Sequence, residues 1–148
     1  MTRKRAVSVL VSTVAVLVLF PLNVDAKKDV TMHRVTHVGN VILDKPIEVG
    51  VDNRGVRVET IMFSGDEALV VVYNRTPRPV KAHLGVALYD EHDDLLAAES
   101  DAASFTRTFS DVRAGKQESF KVKFGKFIVN FDGASKYALV FVIEDSLP

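Results

Sequence analysis

Between Val80 and Ser100 apolar and polar residues change places at every step. Val80, Ala82, Leu84, Val86 and Leu88 alternate with Lys81, His83, Gly85, Ala87 and Tyr89. A period of two places the first five side chains on one face of a strand. Asp90-Glu91-His92-Asp93-Asp94 follows, too charged to enter a core without partners, and Leu95–Ser100 restores apolar character. The stretch predicts a β-hairpin with an acidic tip and one face buried.

The same signal recurs along the chain. Val56–Ser64 is strand-like, with Val56, Val58, Thr60 and Met62 in one phase and Ile61 and Phe63 in the other. Either both faces are covered or a bulge shifts the phase. Leu69-Val70-Val71-Val72-Tyr73 is a continuous β-rich run, which predicts a central strand buried on both sides. Phe120, Val122 and Phe124 alternate with Lys121 and Lys123; Gly125-Lys126 breaks the run, and Phe127, Val129 and Phe131 alternate again after it. Tyr137, Leu139, Phe141 and Ile143 form one face of a last strand, and Ala138, Val140 and Val142 the other.

Shorter strands are expected at Val30–Val38, Val41–Leu43, Ile47–Val51 and Phe105–Phe109. Turns are expected at Gly39-Asn40, Asp52–Gly55, Gly65–Glu67, Asp111–Gly115 and Asp132-Gly133. Pro46 marks a break or an edge, and Thr76-Pro77-Arg78-Pro79 a stiff connection. No stretch beyond Pro21 keeps helical spacing. About eight to ten short strands at regular intervals read as an all-β, antiparallel sandwich.

The N-terminus reads differently. Arg3, Lys4 and Arg5 precede the uncharged apolar run Ala6–Phe20; Pro21 follows, and Val24-Asp25-Ala26 has the short residues of a cleavage site. This is the three-part pattern of a secretory signal peptide, 1–26, cleaved after Ala26. The run falls short of the roughly 20 residues a spanning helix needs, though Leu22 could extend it into an uncleaved anchor. Residues 27–148 are then a single exported domain, with Lys27–Asp29 as a tail. The chain has no cysteine, which excludes disulfides, thiolate nucleophiles and thiolate metal sites. An exported chain without disulfides suits a bacterial periplasm or envelope. Lys plus Arg and Asp plus Glu both number 19, so nothing points to nucleic acid as a partner.

The segment Val86-Ala87-Leu88-Tyr89-Asp90 resembles the signature of FxLYD-type domains, small immunoglobulin-like sandwiches of exported or membrane-tethered bacterial proteins. The order around it is similar: a β-branched strand ending in Asn74, the Leu-Tyr-Asp strand, a polar turn, then Ala114-Gly115-Lys116 leading into Phe120-Val122-Phe124. Val86 stands where the family has Phe, and Glu91–Asp94 replaces its usual Asp-Gly turn. The likeness covers residues 68–143. It implies the immunoglobulin-like fold and an exported setting, and it implies no catalytic residue and no cofactor.

Chemical candidates are few. His33 and His37 sit four apart, a spacing that on a strand leaves them on one face about 13 Å from each other; exposed positions on an edge strand are expected. Together with His92 and the neighbouring carboxylates they define one alternative, a periplasmic metal-binding protein. The Asp90–Asp94 tip could offer oxygen ligands to a hard cation, but it lacks the mid-loop glycine and closing glutamate of a calcium loop. His83 is expected as a half-exposed sheet residue. Ser64, Ser104, Ser110 and Ser119 lack a nucleophile-elbow context, so a hydrolase is the second alternative, without a named site. The favoured reading is a non-enzymatic binding or structural module of the envelope. It would meet a protein or envelope component through loops or an edge strand, with Val30–Val51 as the edge.

Overall fold

The computed structural model describes residues 30–101, 110–125, 128 and 130–146. The leader at 1–26, the tail at Lys27–Asp29 and the strand expected at Phe105–Phe109 lie outside the described residues. Within them are nine strands and no helix: β1 (Val30–Asn40), β2 (Ile47–Asn53), β3 (Val56–Ser64), β4 (Glu67–Asn74), β5 (Val80–Tyr89), β6 (Leu95–Ser100), β7 (Ser110–Val112), β8 (Gln117–Lys123) and β9 (Lys136–Ser146). They make two antiparallel sheets. One has the order β1-β9-β5-β6, with β7 also paired to β5; the other has the order β2-β3-β4-β8.

The hairpin at Val80–Ser100 forms as β5 and β6. Ala82, Leu84, Val86 and Leu88 are buried, and Val80 packs at the margin. Facing them from the second sheet are Val56, Val58, Ile61 and Phe63 of β3, Val70 and Val72 of β4, and Phe120 and Val122 of β8. Leu139, Phe141 and Ile143 of β9 complete one apolar layer between the sheets. Each such side chain contributes about 1.5–3 kcal/mol on burial, enough for a core that uses no disulfide.

The phase change in β3 is a bulge. Val58 pairs with Val72 and Thr60 with Val71, so Glu59 is the extra residue. It rotates Ile61 and Phe63 into the core phase that Val56 and Val58 began, and leaves Thr60 and Met62 outside. A second irregularity in β2, between Glu48 and Val51, contains Gly50 at φ 66°. The β2–β3 hairpin turns at Arg54 and Gly55, with φ values of 51° and 82°, and Gly55 N–H donates to Asp52 Oδ1 at 3.0 Å.

Several expectations need correction. Strand β4 is central in its sheet but fully buried on one face only: Ala68, Val70 and Val72 are buried, whereas on the other face Leu69 and Val71 are half-buried and Tyr73 is exposed. Gly39 and Asn40 do not turn the chain; β1 runs through them. A Cβ on Gly39 would lie 2.8 Å from ring atoms of Tyr137, so this glycine serves close approach of an aromatic ring to the neighbouring strand. Val41–Leu43 contributes an isolated bridge, Leu43 to Phe63, instead of a strand. Part of the turn expected at Asp111–Gly115 is strand β7, and the chain reverses at Arg113–Lys116 through a 3.2 Å hydrogen bond.

No strand forms at Ile128 or at Asn130 and Phe131. Phe124, Ile128 and Phe131 are buried together, and Ile128 N–H donates to the Phe124 carbonyl four residues back. Phe127 and Val129 lie outside the described residues. Phe131 itself has φ 55°, and Gly133 at φ 77° carries the expected Asp132-Gly133 turn.

Candidate binding edge

Two buried asparagines tie the elements together, and sequence patterning singled out neither as a tie. Asn74, at the end of β4, is fully buried. Its Nδ2 donates to the carbonyls of Arg78 (2.8 Å) and Val112 (2.9 Å). Its Oδ1 accepts from the Thr76 N–H (2.9 Å) and hydroxyl (2.7 Å). One side chain thereby fixes the Pro77–Pro79 crossover and joins β4 to β7 of the opposite sheet. Asn53, 5% exposed at the end of β2, donates to the His33 carbonyl of β1 at 2.9 Å, with the Phe141 carbonyl of β9 at 3.5 Å. It seats β1 and β9 over β2.

The acidic tip is built as a turn. Asp90 Oδ1 accepts the N–H groups of His92 (2.8 Å) and Asp94 (3.0 Å). The Asp94 N–H chiefly, then that of His92, holds the Asp90 carboxyl below the usual aspartate range. Asp93, at φ 67°, meets Lys136 Nζ at 2.6 Å. His92 is exposed, 3.9 Å from each of Asp90 and Glu91. Among the described residues no three histidines or carboxylates are grouped to hold a metal ion. His33 and His37 share one side of β1, as a strand requires, but they are half-buried instead of exposed. The His37 ring lies 5.9 Å from that of Tyr137.

His83 does sit half-exposed on the outer sheet face, and it has a partner that the sequence did not suggest. Its Nδ1 is 2.8 Å from Asp101 Oδ1. The Asp101 side chain is 3% exposed, and burial pushes its carboxyl above the ordinary value, against the pull of the Leu84 N–H and His83. Asp101 Oδ1 also accepts the Leu84 N–H (3.1 Å), and the Asp101 N–H donates to the Leu84 carbonyl (3.1 Å). Because β6 ends at Ser100 and β7 begins its pairing at Ala82, this carboxylate stands in for a missing strand partner along β5. A polar groove of about 330 Å³ beside it is lined by Asp101, Asp111, Glu118, Ser119, Phe120 and Lys121. Arg113 binds Glu118 (2.7 Å) and Lys121 approaches Glu67 (3.5 Å). Ser64 donates to Asp44 at 2.6 Å. Ser104 and the Ser110 side chain lie outside the described residues.

The edges of the two sheets differ in how they are protected. A sheet edge exposes unpaired N–H and C=O groups, and natural proteins blunt it with short strands, prolines, bulges or charge. Strand β2 follows Pro46 and contains the Gly50 irregularity. Strand β8 carries exposed Lys121 and Lys123. Strands β6 and β7 have six and three residues. Strand β1 is neither short nor broken by proline. It is 11 residues long, contains no proline, and Arg34 is its only Lys, Arg, Asp or Glu. Its outer side carries exposed Val30 (43%), Met32 (52%) and Val38 (66%). Among the described residues no strand pairs with its far side.

The fold and this edge define a class, an antiparallel two-sheet β protein with, among the described residues, one long edge strand of low charge. No protein-family model and no curated protein sequence matches the chain. Among the described residues no helix is long and apolar enough to cross a membrane.

Proposed function

We propose that this chain is an exported, non-enzymatic binding module of the cell envelope that accepts an extended segment of a partner as an additional strand on β1. The observation that carries the reading is the contrast between β1 and the other edges. Main-chain hydrogen bonds along about 35 Å of strand would supply affinity, and alternate side chains meeting Met32 and Val38 would supply selectivity. Export rests on the leader pattern at 1–26, with cleavage after Ala26. The immunoglobulin-like, FxLYD-type assignment rests on the resemblance at Val86–Asp90, a segment at the end of β5, and on Asn74, which closes β4.

The test uses protein expressed from its full gene and purified in the form the cell yields. Extended peptides are selected from a displayed random library, and hydrogen exchange is measured with and without them. Protection confined to residues 30–40 is expected. Successive N–H groups of a strand point to opposite sides, so of Thr36→Pro and His37→Pro one removes an outward donor and spares the ladder to β9. That variant should stay folded by circular dichroism and lose the peptide. Protection mapping to the loops, or binding unchanged in the folded variant, would overturn the reading.

A further inference from the structure

The sequence of β1 is matched to itself. We propose that the strand received on this edge is β1 of a second copy of this chain, antiparallel and centred on Val35. The inference rests on the edge reading above and names its partner. In a two-fold pairing each contact occurs twice, so a strand can serve only if its two halves are complementary. Centring on Val35 places Met32 opposite Val38, the two most exposed apolar residues of the strand. It also places Val30 opposite Asn40, Arg34 opposite Thr36, and, on the inner side, His33 opposite His37. No Lys, Arg, Asp or Glu meets a like charge.

Registers displaced by a step that keeps the same faces together are worse. Centring on Arg34 sets two guanidinium groups directly across from each other, which destabilises a strand pair. Centring on Thr36 brings Arg34 against Val38 and Met32 against Asn40, so both apolar residues lose their apolar partner. The Val35 register alone among the three joins the exposed apolar positions and separates the charges. It would join the β1-β9-β5-β6 sheets of two copies into one continuous sheet and remove the free edge from both.

Sedimentation velocity on the purified full-gene product, as concentration is raised, is the first measurement, and a dimer is expected. Met32→Lys with Val38→Lys sets like charges across both contacts and should give a monomer. Met32→Lys with Val38→Glu sets opposite charges there and should restore the dimer. Because the chain has no cysteine, Val35→Cys adds a single thiol, and mild oxidation should link it to its own counterpart. A wild-type monomer, a dimer that survives the double lysine variant, or a charge swap that fails to restore association would each overturn self-pairing. The peptide experiment separates the two readings: a monomer that still shows protection at residues 30–40 overturns only the self-pairing, and a monomer that takes no peptide overturns both.

Discussion

Asn74 shows how much one polar side chain can hold when all of its hydrogen-bonding groups are used. It is fully buried, yet both its amide protons and its oxygen have partners. Truncation would strand the Val112 carbonyl, whose bond to Asn74 is buried, at about 1–3 kcal/mol, and would take a partner from the part-buried Thr76 N–H, while the Arg78 carbonyl keeps the Thr76 hydroxyl. Asn74→Ala is therefore expected to cost about 3 kcal/mol in urea denaturation. Asn74→Asp should cost more at neutral pH than at acid pH, because its carboxylate would face two carbonyl oxygens. A variant as stable as wild type would show that the crossover holds without this side chain. From sequence Asn74 was visible only as the residue that ends a β-branched run. Its role depends on Val112, far along the chain, and no local pattern announces such a contact.

Strands β1 and β9 show an element correcting a local reading. Gly39-Asn40 has turn composition, but the fully buried ring of Tyr137, 5.2 Å from Phe63, needs space beside the edge strand, and only glycine leaves it. Glycine to alanine in a strand ordinarily gains about 0.4–1 kcal/mol through the unfolded state. Here the added methyl group would collide with the ring, at about 1–3 kcal/mol for overpacking. The collision wins, so Gly39→Ala should lower the urea midpoint. Tyr137→Phe should leave stability unchanged or raise it, because among the described residues the buried Tyr137 hydroxyl has no hydrogen-bond partner. The same burial raises the phenol above its usual value. Strand β3 gives the opposite lesson: its phase change in the sequence was a true signal of the bulge at Glu59.

Across the whole molecule, two carboxyl groups pull the acid stability in opposite directions. Asp90 titrates below its unfolded value, so its contribution is complete above that value and lost as pH falls through the folded one. Asp101 titrates above its unfolded value. Its contribution is complete below about pH 3.9, the unfolded aspartate value, and is lost as pH rises through the raised folded value. Asp101→Asn removes that titration and keeps an acceptor for the Leu84 N–H. Its stability relative to wild type should therefore climb as pH rises from about 4, in urea denaturation at a series of pH values. Asp101→Ala should be less stable throughout, because the Leu84 N–H loses its acceptor. A pH-independent difference between the asparagine variant and wild type would show that Asp101 is not titrating there.

The alternation of apolar residues by itself determined the strands at Val56–Ser64, Val80–Tyr89 and Gln117–Lys123 and, in the last two, which side chains enter the core. It could do so because side-chain direction along a strand is a local property of two successive residues. Only the tertiary structure decided that the second face of β4 is half-covered, that Phe124, Ile128 and Phe131 are all buried, and that Asp101 completes the ladder of β5. The sequence had already suggested an edge at β1; the structure decided its length and its cover, half burying His33 and His37 on one side and leaving Met32 and Val38 exposed on the other. These are matters of which strand lies beside which, set by hydrogen bonds and packing between residues remote in the chain, and no period along the sequence encodes them.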